Sequence, residues 1–267
     1  MGEKITVPHV LKMKQRGEMI TCLTAYDYAF ARILDEAGIE LLLVGDSLGC
    51  VIQGNHNTLA VTMDEMVYHT RLVARGRKRA LVIGDMPFLS YQIGKEQALA
   101  NAGRFLQEGG AEAVKLEGGV HMKETIAAIV RAGIPVMGHI GLTPQSVHQF
   151  GGYKIQGRDM ARRDMVLRDA LAVEEAGVFS VVLEGMPLDL AREITERLTI
   201  PTIGIGAGSH CDGQVLVVHD MLGLFDDFRP KFVKQYVDLK QVMSGAVKEF
   251  IGEVKARKFP AEEHSFK

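Results

Sequence analysis

The chain has 267 residues, of which 47% are hydrophobic and 24% are charged. This composition is typical of a globular protein long enough to bury a large core. Its 31 basic and 33 acidic residues give a formal net charge of -2, so it lacks the excess positive charge that binds nucleic acids or anionic membranes. No apolar run approaches the roughly 20 residues that a membrane-spanning helix needs. We therefore expect neither a nucleic-acid nor a membrane partner.

The cysteines and the first residues indicate a reducing compartment. Cys22, Cys50 and Cys211 are odd in number, and their spacing matches neither a metal site nor a disulfide framework. The opening residues, Met-Gly-Glu-Lys-Ile-Thr, lack the basic region and apolar stretch of a secretory signal. These features predict a cytoplasmic protein.

Short apolar segments alternate with longer helical patterns along the chain. Most of the segments are rich in Val, Ile and Leu without polar alternation, which is typical of strands buried on both faces of a parallel sheet. The predicted strands are Met19–Ala25, Leu41–Gly45, Leu81–Gly84, Ala113–Leu116, Pro135–His139, Phe179–Leu183, Pro201–Ile205 and Val215–Val218. Eight strand–helix units in about 250 residues predict a single-domain α/β protein over residues 1–267, a (β/α)8 TIM barrel. A doubly wound open sheet is the alternative, because it produces the same alternation.

The helices between the strands are predicted from apolar periodicity and from the residues at their ends. Four of them, Tyr28–Ala37, Ala98–Glu108, Thr125–Ala132 and Met165–Ala176, are each followed by a glycine, which suits the left-handed end of a helix. A further helix runs through Tyr68 to Ala74. It opens with Thr62 and Glu65, the residue pair of a capping box.

Three segments lie outside this repeat. Residues 1–18 are predicted to form an N-terminal helix that plugs or caps the barrel. Residues 141–158 are predicted to form a long glycine-rich loop after the fifth strand, and loops of that length usually serve as lids or binding loops. Residues 256–267 are predicted to be a polar tail.

Polar side chains follow several of the strands, where barrel enzymes build their active sites. They are Asp46 and Ser47 after the second strand, Asp85 after the third, Lys115 and Glu117 on and after the fourth, His139 at the end of the fifth and Glu184 after the sixth. Taken singly, an Asp at such a position often caps the next helix, and a lone His is more often structural. Together, Asp46, Asp85 and Glu117 would repel one another unless a cation or a proton separated them. A bound metal ion is the simplest solution.

The donor atoms of this group indicate the metal and the chemistry. Oxygen ligands without Cys or paired His favour a hard ion such as Mg²⁺ or Mn²⁺ over Zn²⁺. Such an ion would keep positions open for a bidentate 2-oxo acid and would stabilise an enolate as a Lewis acid. We expect Lys115 to neutralise the substrate carboxylate and Ser47 to donate a hydrogen bond to it. Glu184, across the barrel mouth, is the candidate base.

The sequence resembles the 3-methyl-2-oxobutanoate hydroxymethyltransferase family, also called the ketopantoate hydroxymethyltransferase family, over nearly its whole length. The resemblance rests on Thr24-Ala-Tyr-Asp-Tyr28, Val44-Gly-Asp-Ser-Leu48, Lys115-Leu-Glu-Gly-Gly119, Gly138-His-Ile-Gly-Leu-Thr-Pro-Gln-Ser146, Phe150-Gly-Gly-Tyr-Lys154, Ile203-Gly-Ile-Gly-Ala-Gly208 and Glu262-Glu-His-Ser-Phe266. It implies a (β/α)8 barrel that moves a hydroxymethyl group from 5,10-methylenetetrahydrofolate to 3-methyl-2-oxobutanoate in pantothenate and coenzyme A biosynthesis. It also implies Mg²⁺ and a homodecamer built as a pentamer of dimers.

The resemblance implies a role for each of the residues already selected. Asp46, Asp85 and Glu117 would be metal ligands, and Asp46, Ser47, Asp85 and Lys115 would contact the keto acid. Glu184 would accept the proton from C3 of the substrate, and His139 would line the same pocket. The folate is expected near His139 and the loop 141–158.

Two alternatives have different signatures. A lyase of the isocitrate lyase and phosphoenolpyruvate mutase type would share the fold, the metal and the enolate chemistry. It would also supply a catalytic Cys from a loop near the metal, whereas none of the three cysteines follows the fourth or fifth strand. A non-catalytic binding module for metal or keto acid would need the carboxylates without a base, and changing Glu184 separates the two.

Overall fold

Eight parallel strands close into a barrel in the order of the sequence. The structure, a computed structural model, describes residues 3–224 and 230–266. Its strands are β1 (Ile20–Thr24), β2 (Leu41–Val44), β3 (Leu81–Asp85), β4 (Ala113–Glu117), β5 (Val136–Gly141), β6 (Ser180–Glu184), β7 (Thr202–Ile205) and β8 (Gly213–Leu216). The predicted (β/α)8 barrel is confirmed. The open sheet is excluded because β8 pairs with β1, with Cys22 opposite Val215.

Helices follow most of the strands. They are α1 (Val7–Gln15), α2 (Tyr28–Ala37), α3 (Leu48–Val51), α4 (Met63–Gly76), α5 (Lys95–Gln107), α6 (Lys123–Arg131), α7 (Val147–Phe150), α8 (Met160–Glu175), α9 (Leu188–Arg197), α10 (Val218–Leu222) and α11 (Leu239–Lys255). Short 3-10 turns occupy Val120–Met122, Pro144–Ser146 and Glu262–His264. The connection between β7 and β8, residues 206–212, contains no helix. Among the helices in the described ranges, none has both the length and the hydropathy needed to cross a bilayer.

Local capping explains where the first helices begin and end. The Asp27 side chain accepts a hydrogen bond from the Phe30 amide at 2.9 Å, and Gly38 ends α2 with φ 98°. At α4, Thr62 and Glu65 form the reciprocal bonds of a capping box, as predicted. These bonds satisfy backbone donors that the first turn of a helix leaves free.

The N-terminal helix closes one end of the barrel. All eight strands contribute to one buried apolar cluster, which also contains Val10 of α1. Val7 and Met13 of the same helix pack against this cluster. The prediction of a helix that caps the barrel is confirmed for residues 7–15.

Two compact units make up the chain, residues 1–217 and residues 218–267. The first unit holds all eight strands with helices α1 to α9, and the second holds α10 and α11. Helix α11 has no buried residue, and several of its large apolar side chains are exposed: Val242, Met243, Val247, Phe250, Ile251 and Val254.

The last strand differs from its prediction. β8 spans Gly213–Leu216 instead of 215–218, and Val218 begins α10. A Cβ added at Gly213 would lie 2.4 Å from the carbonyl oxygen of Ile20. Glycine therefore allows β8 to approach β1 closely, and this requirement has no counterpart in an apolar pattern.

Other boundaries also shift. Helix α8 begins five residues before its predicted start, because the Asp159 side chain caps it by accepting from the Arg162 amide at 2.9 Å. The loop predicted at 141–158 contains the turn Pro144–Ser146 and helix α7. The predicted polar tail includes the turn Glu262–His264, and its Lys267 lies outside the described residues. Helix α11, which precedes this tail, was not predicted from the sequence.

Candidate active site

Strand register brings the predicted site residues together at the carboxyl ends of the barrel strands. Asp85 at the end of β3 lies opposite Lys115 of β4, and Glu117 at the end of β4 lies opposite His139 of β5. Glu184 ends β6, where it lies opposite Gly141. Asp46 and Ser47 follow β2 after one intervening residue, Gly45. The strands themselves therefore place these side chains on one rim.

Lys115 and Asp85 form a buried ion pair. The Lys115 Nζ lies 2.7 Å from the Asp85 Oδ1, and the side chains are 4% and 3% exposed. Burial alone lowers the pKa of Lys115, but the charges of Asp85, Glu117 and Asp46 outweigh burial and raise it above its ordinary value. The ammonium is therefore charged and can neutralise an anion brought into this rim.

Asp46 is a buried carboxylate beside this pair. Its own amide donates to Asp85 Oδ2 at 3.2 Å, and its Oδ2 accepts from the Gln145 Nε2 at 2.9 Å. Burial and then the negative charge of Asp85 raise the pKa of Asp46 to about 7, against the opposing charge of Lys115. The rim thus holds more acid than its single lysine compensates.

Glu117 and His139 have buried polar atoms without partners. Within the described residues, Glu117 Oε1 and both ring nitrogens of His139 have no hydrogen-bond partner. His139 Nδ1 lies 3.6 Å from Glu117 Oε1, beyond hydrogen-bond distance. Burial and then the charge of Lys115 lower the pKa of His139 well below 6.5, while burial raises the pKa of Glu117 well above 4.5. Buried polar atoms normally have partners, so these atoms are available to a ligand.

Glu184 is the acid best suited to exchange a proton with a substrate. Its side chain is 14% exposed, and its Oε2 lies 3.1 Å from His139 Nε2. Burial raises its pKa to about 8, which Lys115 opposes. A carboxylate with a pKa near neutrality can remove a weakly acidic proton and return it, as general bases do.

Ser47 lies at the edge of the group. Its hydroxyl is 2.8 Å from the hydroxyl of Tyr26, which is buried. The side chain is half-buried, and it does not cap helix α3. Its hydroxyl is therefore held by a tyrosine instead of by the next helix.

The site also contains two residues that sequence reasoning did not select. Gln145, in the turn after β5, donates to Asp46, and Tyr91, in the loop after β3, donates its hydroxyl to Gln145 Oε1 at 2.6 Å. Both are buried. The sequence places Gln145 in the predicted binding loop 141–158, but nothing in it singles out Gln145 or Tyr91, because polar residues are common in loops.

The oxygens of Asp46, Asp85 and Glu117 are the atoms that suit a metal ion. Nowhere in the described part of the chain do three or more His, Cys, Asp or Glu side chains form a ready metal cage. Both Asp85 oxygens are engaged, by Lys115 and by the Asp46 amide. Mg²⁺ commonly binds through one or two carboxylates and keeps several waters. The oxygen donors and the unpartnered Glu117 Oε1 therefore fit a hydrated hard ion.

A closed parallel barrel with acids, a buried lysine and a base of raised pKa at the carboxyl ends of its strands defines an enzyme of the (β/α)8-barrel class. Comparison with known proteins identifies its family. The model of the family "Ketopantoate hydroxymethyltransferase" matches residues 4–262. The chain belongs to this family.

Curated relatives agree over the full length. Proteins named 3-methyl-2-oxobutanoate hydroxymethyltransferase from Geobacter metallireducens and Geobacter sulfurreducens are each 60% identical to the chain over 266 residues, covering 100% of both sequences. The predicted family and the predicted class of enzyme, a hydroxymethyltransferase, are confirmed.

A solved structure extends the similarity at the level of fold. Phosphonopyruvate hydrolase in complex with oxalate and Mg²⁺ aligns with a TM-score of 0.62 and 13% identity, covering 97% of this chain and 93% of that one. At this identity the likeness is one of fold, and it agrees with the closed barrel described above.

Proposed function

We propose that the chain transfers a hydroxymethyl group from 5,10-methylenetetrahydrofolate to 3-methyl-2-oxobutanoate, giving ketopantoate for pantothenate and coenzyme A synthesis. The observation that carries this proposal is the division of the rim. One side pairs the buried Lys115 with acids, and the other holds Glu184, whose pKa is raised to about 8. An anionic keto acid needs the first side for binding and the second for loss of a proton.

The keto acid is held by Asp46, Ser47, Asp85 and Lys115. Lys115 neutralises the substrate carboxylate, because its ammonium is buried and its charge is secured by Asp85. The Ser47 hydroxyl donates to the same carboxylate while the Tyr26 hydroxyl fixes its position. His139 stays neutral and lines the pocket between Glu117 and Glu184.

Asp46, Asp85 and Glu117 would hold Mg²⁺, directly or through its waters. When bound, Mg²⁺ would polarise the keto oxygen of the substrate as a Lewis acid. The raised pKa values of Asp46 and Glu117 support a cation here, because its charge would relieve the mutual repulsion of these acids. The Mg²⁺ in phosphonopyruvate hydrolase makes this ion the first to test.

Glu184 removes the proton from C3 of the keto acid. Water cleaves the two C–N bonds that hold the one-carbon unit, which releases tetrahydrofolate and leaves the unit as formaldehyde in the pocket. The carbon nucleophile attacks the formaldehyde carbon, a carbon–carbon bond forms as the C=O π bond opens, and the resulting alkoxide takes a proton to become the hydroxyl. His139 Nε2 lies 3.1 Å from Glu184 Oε2, so the imidazole and the base line the same part of the pocket. The folate approaches near His139 and the loop 141–158, in accord with the expectation from the sequence.

The lyase alternative gains no support from the cysteines. Cys22 and Cys211 are buried, Cys50 lies in α3 after β2, and burial raises the pKa of Cys22 to about 12. None of them lies in the loops after β4 or β5. The non-catalytic binding module is disfavoured by Glu184, since a binding site has no need for a base of raised pKa.

The test is proton NMR of 3-methyl-2-oxobutanoate in D₂O with the enzyme and Mg²⁺, first without and then with 5,10-methylenetetrahydrofolate. We expect Mg²⁺-dependent loss of the C3 proton signal, followed by ketopantoate once the folate is added. Exchange without product would contradict the folate as donor. No exchange by folded protein would contradict the proposed function and favour the binding module.

We also propose that the protein is a cytoplasmic homodecamer. Support for self-association comes from α11, whose exposed Met243, Val247, Phe250 and Val254 recur at helical spacing along one face. Large exposed apolar faces of this kind mark protein interfaces.

Light scattering after gel filtration tests the assembly. We expect a mass near ten times that of the 29.3 kDa chain. Phe250→Glu should lower this mass, whereas Lys248→Glu, which puts a similar charge on the same helix at a polar position, should not. A monomeric wild-type protein would refute the assembly.

A further inference from the structure

Gln145 connects two of the acidic side chains at the rim. Its Nε2 donates to Asp46 Oδ2 at 2.9 Å and to the Met86 carbonyl oxygen at 2.9 Å. Its backbone amide donates to Glu117 Oε2 at 3.1 Å. One residue of the turn after β5 therefore contacts acids that come from β2 and β4.

Gln145 is itself held in place. The Tyr91 hydroxyl donates to Gln145 Oε1 at 2.6 Å and accepts from the Glu117 amide at 3.2 Å. Gln145 is 5% exposed and Tyr91 is 1% exposed. The amide group therefore has a single orientation, with its oxygen toward Tyr91 and its nitrogen toward Asp46.

The chemistry of an amide suits this position. Asp46 and Glu117 are both buried and both accept a hydrogen bond from Gln145, and as carboxylates they repel each other. A lysine in place of Gln145 would align them but would also neutralise the charge that attracts a cation. The neutral side-chain amide orients Asp46, as the backbone amide orients Glu117, and both leave the charge of the carboxylates intact.

We propose that Gln145 is a positioning residue that sets the divalent-cation affinity of the rim by orienting Asp46 and Glu117. This inference rests on the proposed function, in which these acids hold Mg²⁺. It adds a residue of the loop after β5 that acts on the cation through the carboxylates. Groups that orient metal ligands in this way typically change metal affinity by about 10- to 100-fold when removed.

The test compares Gln145→Met with Gln92→Met. Methionine has about the volume of glutamine but lacks the side-chain amide that donates to Asp46. The backbone amide that donates to Glu117 remains. Gln92 makes a fair control because its Nε2 also donates to Gln145 Oε1, at 3.2 Å, while Gln92 is exposed and, in the described part of the chain, forms no hydrogen bond with Asp46 or Glu117. Mn²⁺ affinity is measured without substrates, by the electron paramagnetic resonance signal of free Mn²⁺.

We expect Gln145→Met to weaken Mn²⁺ binding by about 10- to 100-fold and Gln92→Met to change it by less than about threefold. Unfolding curves should show both variants folded. Unchanged Mn²⁺ affinity in folded Gln145→Met would overturn the proposal, and so would an equal loss in both variants.

Kinetics separate this role from a packing role. If Gln145 acts through the cation, excess Mg²⁺ restores most of the C3 deuterium exchange rate in Gln145→Met, because only the activation constant has risen. A rate that stays low at every Mg²⁺ concentration would contradict the proposal. If wild-type protein binds no Mn²⁺, the metal assignment in the proposed function fails, and this inference fails with it. Wild-type binding with unaffected Gln145→Met refutes this inference alone.

Discussion

Two charge clusters, one half-buried and one buried, occupy opposite ends of the barrel, and they differ in how completely they are paired. At the amino-terminal end, Asp212 Oδ2 accepts from Lys14 Nζ at 2.9 Å and from the amide and hydroxyl of Thr202 at 2.8 and 3.0 Å. At the carboxyl end, Lys115 serves several acids, and Glu117 Oε1 and both His139 ring nitrogens have no hydrogen-bond partner among the described residues.

The difference separates stability from function. A lysine, an aspartate and their hydrogen bonds at the amino-terminal end satisfy one another, so that cluster joins α1 to β7 and the segment before β8. The carboxyl-end cluster keeps unpartnered acceptors and raised acid pKa values, which cost stability unless a ligand binds. The predictions that follow change one cluster at a time.

The largest effect is expected from Glu184→Gln. Loss of the base should slow C3 deuterium exchange by about 10²- to 10⁴-fold. Binding of the keto acid, measured by calorimetry, should change little because Lys115 and Asp85 are intact. Exchange at the wild-type rate would show that another group removes the proton.

The pH profile tests the same residue without mutation. Since the pKa of Glu184 is raised to about 8, the carboxylate fraction, and with it the exchange rate, should rise about tenfold per pH unit below 8 and level off above it. The protein should lose stability over the same range. The folded state binds the Glu184 proton more tightly than the unfolded state, in which the pKa is near 4.5. The resulting contribution to the free energy of unfolding is complete below pH 4.5 and is lost as the pH rises through 8.

Urea unfolding at several pH values, with Glu184→Gln as the matched variant, measures this linkage. The variant should have a flatter stability profile between pH 5 and 8. An equal slope in both proteins would assign the effect to another group.

Mg²⁺ should stabilise the carboxyl-end cluster. At 100 times its dissociation constant, an ion that binds only the folded state raises the free energy of unfolding by about 2.7 kcal/mol. Asp46→Asn should lose most of this increment, whereas Lys14→Met should keep it. Denaturant unfolding with and without Mg²⁺ measures all three proteins. The same increment in Asp46→Asn and wild type would argue against Asp46 as a ligand.

The smallest effect is expected from Lys14→Met. Removing the ammonium leaves Asp212 without its cation, at 15% and 17% side-chain exposure for the pair, and should lower the free energy of unfolding by about 1–3 kcal/mol. The exchange rate per folded molecule should stay within about twofold of wild type. A large loss of rate would mean that the two ends of the barrel are coupled.

Much of the barrel could be predicted because buried parallel strands are marked by continuous apolar runs. Leu41–Val44 is such a strand, and Asp46 follows it after Gly45. The residues at strand ends are brought together by the strand register, so the position of Glu117 beside His139 follows from the fold.

Other features have no local signature. The role of Gln145 depends on Tyr91, 54 residues away, and on Asp46, 99 residues away, and sequence periodicity does not record such pairs. The start of β8 at Gly213 depends on the backbone of Ile20. Helix α11 does have a local signal, since its apolar residues recur at helical spacing, but it was missed because it lies outside the strand–helix repeat that the prediction followed.

The contact between Lys14 and Asp212 spans 198 positions of the sequence. A contact of that span has a high loop-closure cost, so we expect it to form only once the intervening strands have assembled. Its removal should then accelerate unfolding and leave the refolding rate nearly unchanged, as for interactions absent from the folding transition state. Helix α1 would then be the last element to dock on the barrel, and its ion pair would set the lifetime of the folded state more than the rate of folding.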